Sequence, residues 1–205
     1  MLHLRALGFA PLTMQRPLSD GEKPKVGKER RYLRPDEANH LITAAAKRGR
    51  HGFRDKVLLR LVYRHGLRAA EACGLRWSQI DLDSRTIHVT RVKGSKDSLH
   101  TLHRDEVRDL RALRKDSDSQ YVFVTERGGP LSTDTLGYIV REAGQQAGLD
   151  VAAHPHMLRH AAGYFLANEG LDTRLIQEFL GHRDIRHTVR YTELSPRRLA
   201  AVRVR

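Results

Sequence analysis

Residues 155 to 192 leave little choice of local fold: they read as three short helices in succession, each stopped and restarted by a recognisable residue. Leu158, Ala161, Ala162, Phe165 and Leu166 recur at helical spacing and predict one buried face. A second helix follows, with Asp172 as N-cap and Leu175, Ile176, Phe179 and Leu180 turned inward. Leu171 and Ile176 stand where a hydrophobic staple places them, and Gly181 is a natural C-terminal stop. Asp184 can cap a third helix, which carries Tyr191. His156 and Arg159, three apart, share one face of the first helix, with His160 beside them near its start. His182 lies at a helix exit, where an imidazole is easily presented.

These residue types together suit attack on a phosphodiester. A tyrosine oxygen can attack phosphorus, but its pKa of about 10 and the negative charge of the phosphate both oppose it. Arginine answers the charge, because a guanidinium offers paired N–H donors matched to phosphate oxygens. Histidine and lysine move protons near neutral pH. Arg159 has a second arginine for company, Arg68 in His65-Gly66-Leu67-Arg68-Ala69-Ala70-Glu71, and Lys93 lies in Val92-Lys93-Gly94-Ser95-Lys96. Each has a plainer reading: Arg68 as an ion pair with Glu71, Lys93 and Lys96 as solvated turn lysines, Tyr191 as a helix anchor. Tyr138 and Tyr164 suit that anchoring role better. Five histidines between His154 and His187 invite thought of zinc, but no cysteine cluster or H-E-x-x-H helix accompanies them, and no metal is expected.

Charge points the same way. The chain has 205 residues with 37 Lys and Arg against 24 Asp and Glu, a formal +13 that favours a polyanionic partner. One cysteine, Cys73, excludes an internal disulfide and fits a reducing cytoplasm. No apolar run approaches the roughly 18 residues a membrane span needs. Residues 1 to 30 read as a loose tail merging into a basic arm rich in Pro, Gly and Lys. Order is expected from Tyr32-Leu33, with Pro35-Asp36-Glu37 opening a helix. Val57, Leu58, Leu61 and Val62 mark the next helix, which Gly66 ends before Arg68 opens another. Leu75, Trp77 and Ile80 read as core. Ile87, Val89 and Val92, the turn Lys93 to Lys96, and Leu99 to Leu102 predict a hairpin that a stretch near Ile80 to Leu82 extends into a sheet. Helices resume at 104–113 and 133–147. The expected class is mainly α with a small antiparallel β-sheet (α+β).

The arginine box at Arg68, the H-x-x-R box at His156 to Arg159, the L-G-H box at Leu180 to His182 and Tyr191 resemble, in order and separation, those of the tyrosine site-specific recombinases, the phage integrase family. The stretches His154 to His160 and Asp172 to Thr192 look most like the short fimbrial phase-switch recombinases. The resemblance covers roughly residues 30 to 195. It implies a catalytic domain at 31–195, flanked by the arm (1–30) and a short basic tail (196–205). It implies a 3′-phosphotyrosine intermediate with Tyr191 as nucleophile, and Arg68 and Arg159 on the non-bridging oxygens. His156 becomes proton acceptor or phosphate ligand, His182 a donor, and Lys93 the general acid on the leaving 5′-oxygen. No cofactor is implied, since one ester replaces another. The implied partners are double-stranded DNA, further copies of the chain as a tetramer on it, and helper DNA-bending proteins. The implied location is the cytoplasm, at the nucleoid.

The resemblance further places the helix at Ser132-Thr133-Asp134 in the major groove, where Asp134 could accept from a cytosine amino group. N-capping by Ser132 or Thr133 is the plainer reading. Lys96 and His160 complete the DNA-contact candidates. Departures are few: Ala70 and Ala72 replace a frequent serine and leucine, residues 1 to 30 stand where most relatives of the resembled family carry an N-terminal clamping domain, and Ser195 to Arg205 reads as short for docking on a neighbouring protomer. Two other functions share these features: a retired recombinase that only binds DNA, and a type IB topoisomerase-like enzyme.

Overall fold

A computed structural model describes residues 32–91, 95–115 and 117–193. The arm, the tail and Lys93 lie outside the described residues. Helix α1 (Pro35–Ala46) starts with proline in its first turn and acids beside it, as its opening residues predict. It packs against α2 (Gly52–Arg64) and α5 (Thr133–Gln146), and α2 packs in turn on α6 (Pro155–Asn168). Between them run the short α3 (Ala69–Cys73) and a three-stranded antiparallel sheet, β1 (Ile80–Asp81), β2 (Thr86–Val89) and β3 (Ser98–Thr101). Its register pairs Ile80 with Ile87 and Val89 with Ser98. Helix α4 (Arg104–Lys115) leads from the sheet, and α7 (Thr173–Leu180) and α8 (Arg186–Glu193) close the described chain. The fold is thus mainly helical with one small sheet, as read from the sequence.

The main core gathers Leu41, Leu58, Leu61, Ile139, Val140 and Leu158 from the first, second, fifth and sixth helices. Ala167, Ile176, Leu180 and Tyr191 form a second, smaller cluster. Helix α6 serves both, which fixes α7 and α8 against the body of the domain. The α2–α4 contact is electrostatic: Arg60 and Lys56 meet Asp109, at 2.8 and 3.1 Å, and Arg64 meets Asp105 at 2.8 Å.

Asp172 caps α7 through Arg174 N and Leu175 N, and Gly181 ends it in the left-handed conformation at φ 62°. Two side-chain expectations are corrected, those for Leu175 and Tyr138. Leu175 is 49% exposed, because the buried stripe of α7 runs through Ile176, Phe179 and Leu180 and leaves residue 175 about 100° away. Leu99 points outward at 67% exposure, since β3 alternates and buries His100 instead. Tyr138 anchors nothing internally. It lies on the surface between the guanidiniums of Arg48 and Arg141, 5.3 and 5.5 Å from its ring centre.

Candidate active site

The site is organised by the C-terminal end of α7. A helix leaves its last carbonyls without intrahelical partners and carries partial negative charge there. Three arginines from three parts of the chain answer three consecutive carbonyls. Arg91, just after β2, donates to Phe179 O; Arg159 on α6 donates to Leu180 O at 2.6 Å; Arg68, the N-cap of α3, donates to Gly181 O at 3.1 Å. Arg159 also donates to Gly66 O, so its planar fork bridges the end of α7 and the turn between α2 and α3. Gly181 is required twice over: its φ is left-handed, and a Cβ would stand 2.8 Å from Arg91 Nε.

Glu71 sits beneath this set and serves two of its cations. Arg68 Nη1 donates to its Oε1 at 2.7 Å and Arg91 Nη1 to its Oε2 at 2.8 Å, while Arg68 N caps back onto Oε2 at 2.8 Å. The plain reading of Arg68 as an ion pair with Glu71 and its reading as a phosphate clamp therefore coexist, since the carboxylate orients the guanidinium. Those N–H groups hold Glu71 below the usual carboxylate range despite the opposing effect of burial. Arg159 bonds only to carbonyls among the described residues. Burial, with Arg68 and Arg91 nearby, brings its guanidinium down to about 9. Three buried or half-buried arginines around one carboxylate leave positive charge that an anion would relieve.

Tyr191 enters from α8. It is 1% exposed, and its ring lies so close on α6 that a Cβ at Gly163 would fall 2.6 Å from Tyr191 Cε2. Its hydroxyl is 2.7 Å from His160 Nδ1. The ring of His182 stacks nearly parallel to it at 6.1 Å, 26° between planes, and Tyr164 meets its edge at 4.9 Å. Burial pushes the Tyr191 phenol up to about 12, with Arg159 and Arg190 pulling the other way. His182 Nδ1 is fixed by the buried Thr188 hydroxyl at 2.9 Å. Burial and the charges of Arg159 and Arg68 bring His182 to about 3, so its ring is neutral at pH 7.

The structure thus brings together Arg68, Arg159, His182 and Tyr191. His156 stays exposed at the start of α6, 6.3 Å from His154 between ring centres. His160, expected to face DNA, is half-buried and bonded to Tyr191. Lys96 is exposed. Ser132 is the N-cap of α5, accepting from Thr135 N at 3.0 Å, while Thr133 and Asp134 are exposed on its first turn. Sequence reading missed Arg91, which belongs to no motif, and Thr188. For Thr188 a signal was present, three residues before Tyr191 on the same helical face. Among the described residues no cluster of His, Cys, Asp and Glu could hold a metal ion, and no helix is long and apolar enough to cross a membrane.

The phage integrase family's sequence profile matches residues 31–198. The chain belongs to the phage integrase family. Its tyrosine recombinase relatives include the type 1 fimbriae regulatory protein FimB of Escherichia coli strain K12, 43% identical over 171 residues, 80% of this chain and 85% of that protein. FimE of the same strain is 42% identical over 181 residues, 85% of this chain and 91% of its own. The crystal structure of XerA recombinase superposes with a TM-score of 0.71 at 32% identity, over 82% of this chain and 62% of that one. The likeness to fimbrial switch proteins and the tyrosine recombinase class, both read from the boxes, stand.

This recombinase carries an acid liability in its buried imidazoles. His182 and His160 are held at about 3 and 4, and His100, stacked on Phe179, at about 3, burial being the largest cause in each. The unfolded chain binds these protons near pH 6.5, whereas the folded chain does not until well below 5. Their contribution to stability is therefore complete above 6.5 and lost as pH falls toward 4. Each costs roughly 1 kcal/mol per pH unit in that window, after a discount for partial screening. The melting temperature is expected to drop steadily from pH 6.5 to 4.5, and His100→Gln should lessen the slope. A flat profile would show that these rings titrate normally.

Proposed function

We propose that this chain cuts and rejoins double-stranded DNA at a specific site through a 3′-phosphotyrosine, with Tyr191 as nucleophile. The observation that carries the reading is the anchoring of Arg159 and Arg68 on the adjacent carbonyls of Leu180 and Gly181, beside the Tyr191 hydroxyl. Preorganised donors of this kind stabilise the charge of a pentacoordinate phosphorane without reorganising during the reaction. Tyr191 Oη attacks phosphorus and the bond to the 5′-oxygen breaks. With Thr188 as donor to its Nδ1, the neutral ring of His182 carries its proton on Nε2 and offers it to a phosphate oxygen. Lys93, carried over from the family resemblance, protonates the leaving 5′-oxygen, and His156 is a further phosphate ligand. Since Tyr191 is closed to solvent here, DNA binding must shift α8 before in-line attack. A 5′-hydroxyl from a partner duplex then displaces the tyrosine, so energy stored in the ester is returned and no ATP is consumed.

The likeness to fimbrial regulators supports inversion of a DNA segment, performed by a tetramer with helper DNA-bending proteins. A nicked suicide duplex tests the core of the reading. A covalent adduct is expected, at full yield in EDTA, and joining of two distinct sites should follow. An adduct with relaxation but no joining would favour the topoisomerase-like alternative, and binding without any adduct the retired regulator.

Base reading rests on the exposed first turn of α5. Asp134→Ala is expected to relax preference at one base pair by about 1–3 kcal/mol while leaving the salt slope of binding unchanged. Equal loss on specific and random DNA in a binding titration would assign Ser132-Thr133-Asp134 to capping alone.

A further inference from the structure

We infer that His160 is the proton acceptor of Tyr191: it takes the phenolic proton at Nδ1 as Oη bonds to phosphorus, and returns it when the ester is resolved. The inference deepens the proposed reaction and rests on it. Its ground is the 2.7 Å contact between His160 Nδ1 and Tyr191 Oη, the hydrogen bond that the nucleophilic oxygen makes among the described residues. A phenol near 12 cannot ionise spontaneously at pH 7, so a base must lie within hydrogen-bond reach. His156, the usual candidate by motif, is exposed and makes no described contact with that oxygen. His182 has its Nδ1 committed to Thr188.

The placement of His160 suits the task. It follows Arg159 directly on α6, so the group that binds phosphate and the group that accepts the proton share one rigid helix. Tyr191 approaches both from α8, across the gap that Gly163 leaves. A movement of α8 toward bound DNA therefore carries the hydroxyl along a surface that already contains its acceptor. Burial first, and then the charges of Arg190 on α8, His156, Arg159 and His154, hold the ring at about 4, so its lone pair is free near pH 7, and the negative charge of a bound phosphate offsets the cations that weaken it as a base. The step balances. The Oη–P bond forms as the P–O5′ bond breaks, the phenolic proton passes to Nδ1, and the 5′-oxygen takes its proton from a separate acid. In ligation the incoming 5′-hydroxyl returns its proton to that separate group as it attacks, the Oη–P bond breaks, and the imidazolium of His160 reprotonates Oη.

The experiment is single-turnover cleavage of a nicked suicide duplex by the full chain, wild type against His160→Gln. Glutamine can accept the hydrogen bond but cannot keep the proton. The rate is expected to fall about a hundredfold or more, the lower end of what a positioned base contributes, with DNA affinity unchanged. A 5′-bridging phosphorothiolate, whose thiol leaves without a proton, should not repair the defect. Fluorinated tyrosine at position 191, with a lower phenol pKa, should repair much of it. A wild-type or faster rate for His160→Gln overturns the inference, the faster rate marking His160 as a latch on the resting tyrosine. Full repair by the phosphorothiolate overturns it too, by placing His160 at the leaving group. Should His160→Gln not fold, His160→Phe keeps the ring volume and is read by the same criteria. Absence of any adduct from the wild type is a separate result, which sinks the proposed function itself.

Discussion

Tyr191→Phe is expected to abolish covalent capture of DNA while leaving binding and the fold intact. The ring is a structural member of the second core cluster, bedded on Gly163 and met edge-on by Tyr164, and phenylalanine preserves every apolar contact it makes. What disappears is the hydroxyl and its bond to His160, worth about 1 kcal/mol net in a folded protein. That loss is small beside the stability of a domain. Chemistry has no such margin, because without Oη no bond to phosphorus can form. Denaturing electrophoresis of the suicide-substrate reaction should show no shifted band, while a binding titration matches wild type. An undiminished adduct would move the nucleophile elsewhere, with Tyr164, 4.9 Å away between ring centres, the first to test.

The contrast between what was legible in the sequence and what was not follows from the range of the interactions. Asp172 as a cap, the staple of Leu171 with Ile176 and the stop at Gly181 are local rules, and all three hold because their partners lie within a few residues. The candidate site residues were legible for another reason: four motifs in register specify a chemistry even where no single residue does. Arg91 was illegible on both counts. It is fully buried among Glu71, Phe179 and Gly181, all of them far from it in sequence, so no local pattern marks it. His65, His100 and Glu106 likewise form a buried polar line, 3.3 Å between the two Nδ1 atoms and 3.5 Å from His65 to Glu106, that only the packing of α2, β3 and α4 assembles. The role of His160 sat between these cases. Its position beside Arg159 is plain in the sequence, but its facing Tyr191 depends on how α8 crosses α6.

That crossing also sets the cost of altering the arginines. Arg159→Lys is expected to slow single-turnover cleavage by roughly a hundred- to thousandfold, the loss typical of one preorganised oxyanion donor. Charge is nominally conserved, but the geometry is not. The fork of Arg159 reaches Gly66 O and Leu180 O at once, and a single ammonium cannot hold both carbonyls while also facing a phosphate. At 4% exposure a lysine would, moreover, resist protonation more readily than arginine does, losing the charge itself. Arg68→Lys removes a fork of a different kind, one tied to Glu71 and Gly181 O and a quarter exposed, so lysine can stay charged there and keep the Glu71 pair. Its cleavage defect should therefore exceed its stability defect, whereas Arg159→Lys should show both, with a lower melting temperature from a carbonyl left without its donor. Cleavage by Arg159→Lys within threefold of wild type would mean that the phosphate is not bound at the end of α7, and that the three arginines there serve only to close the helix.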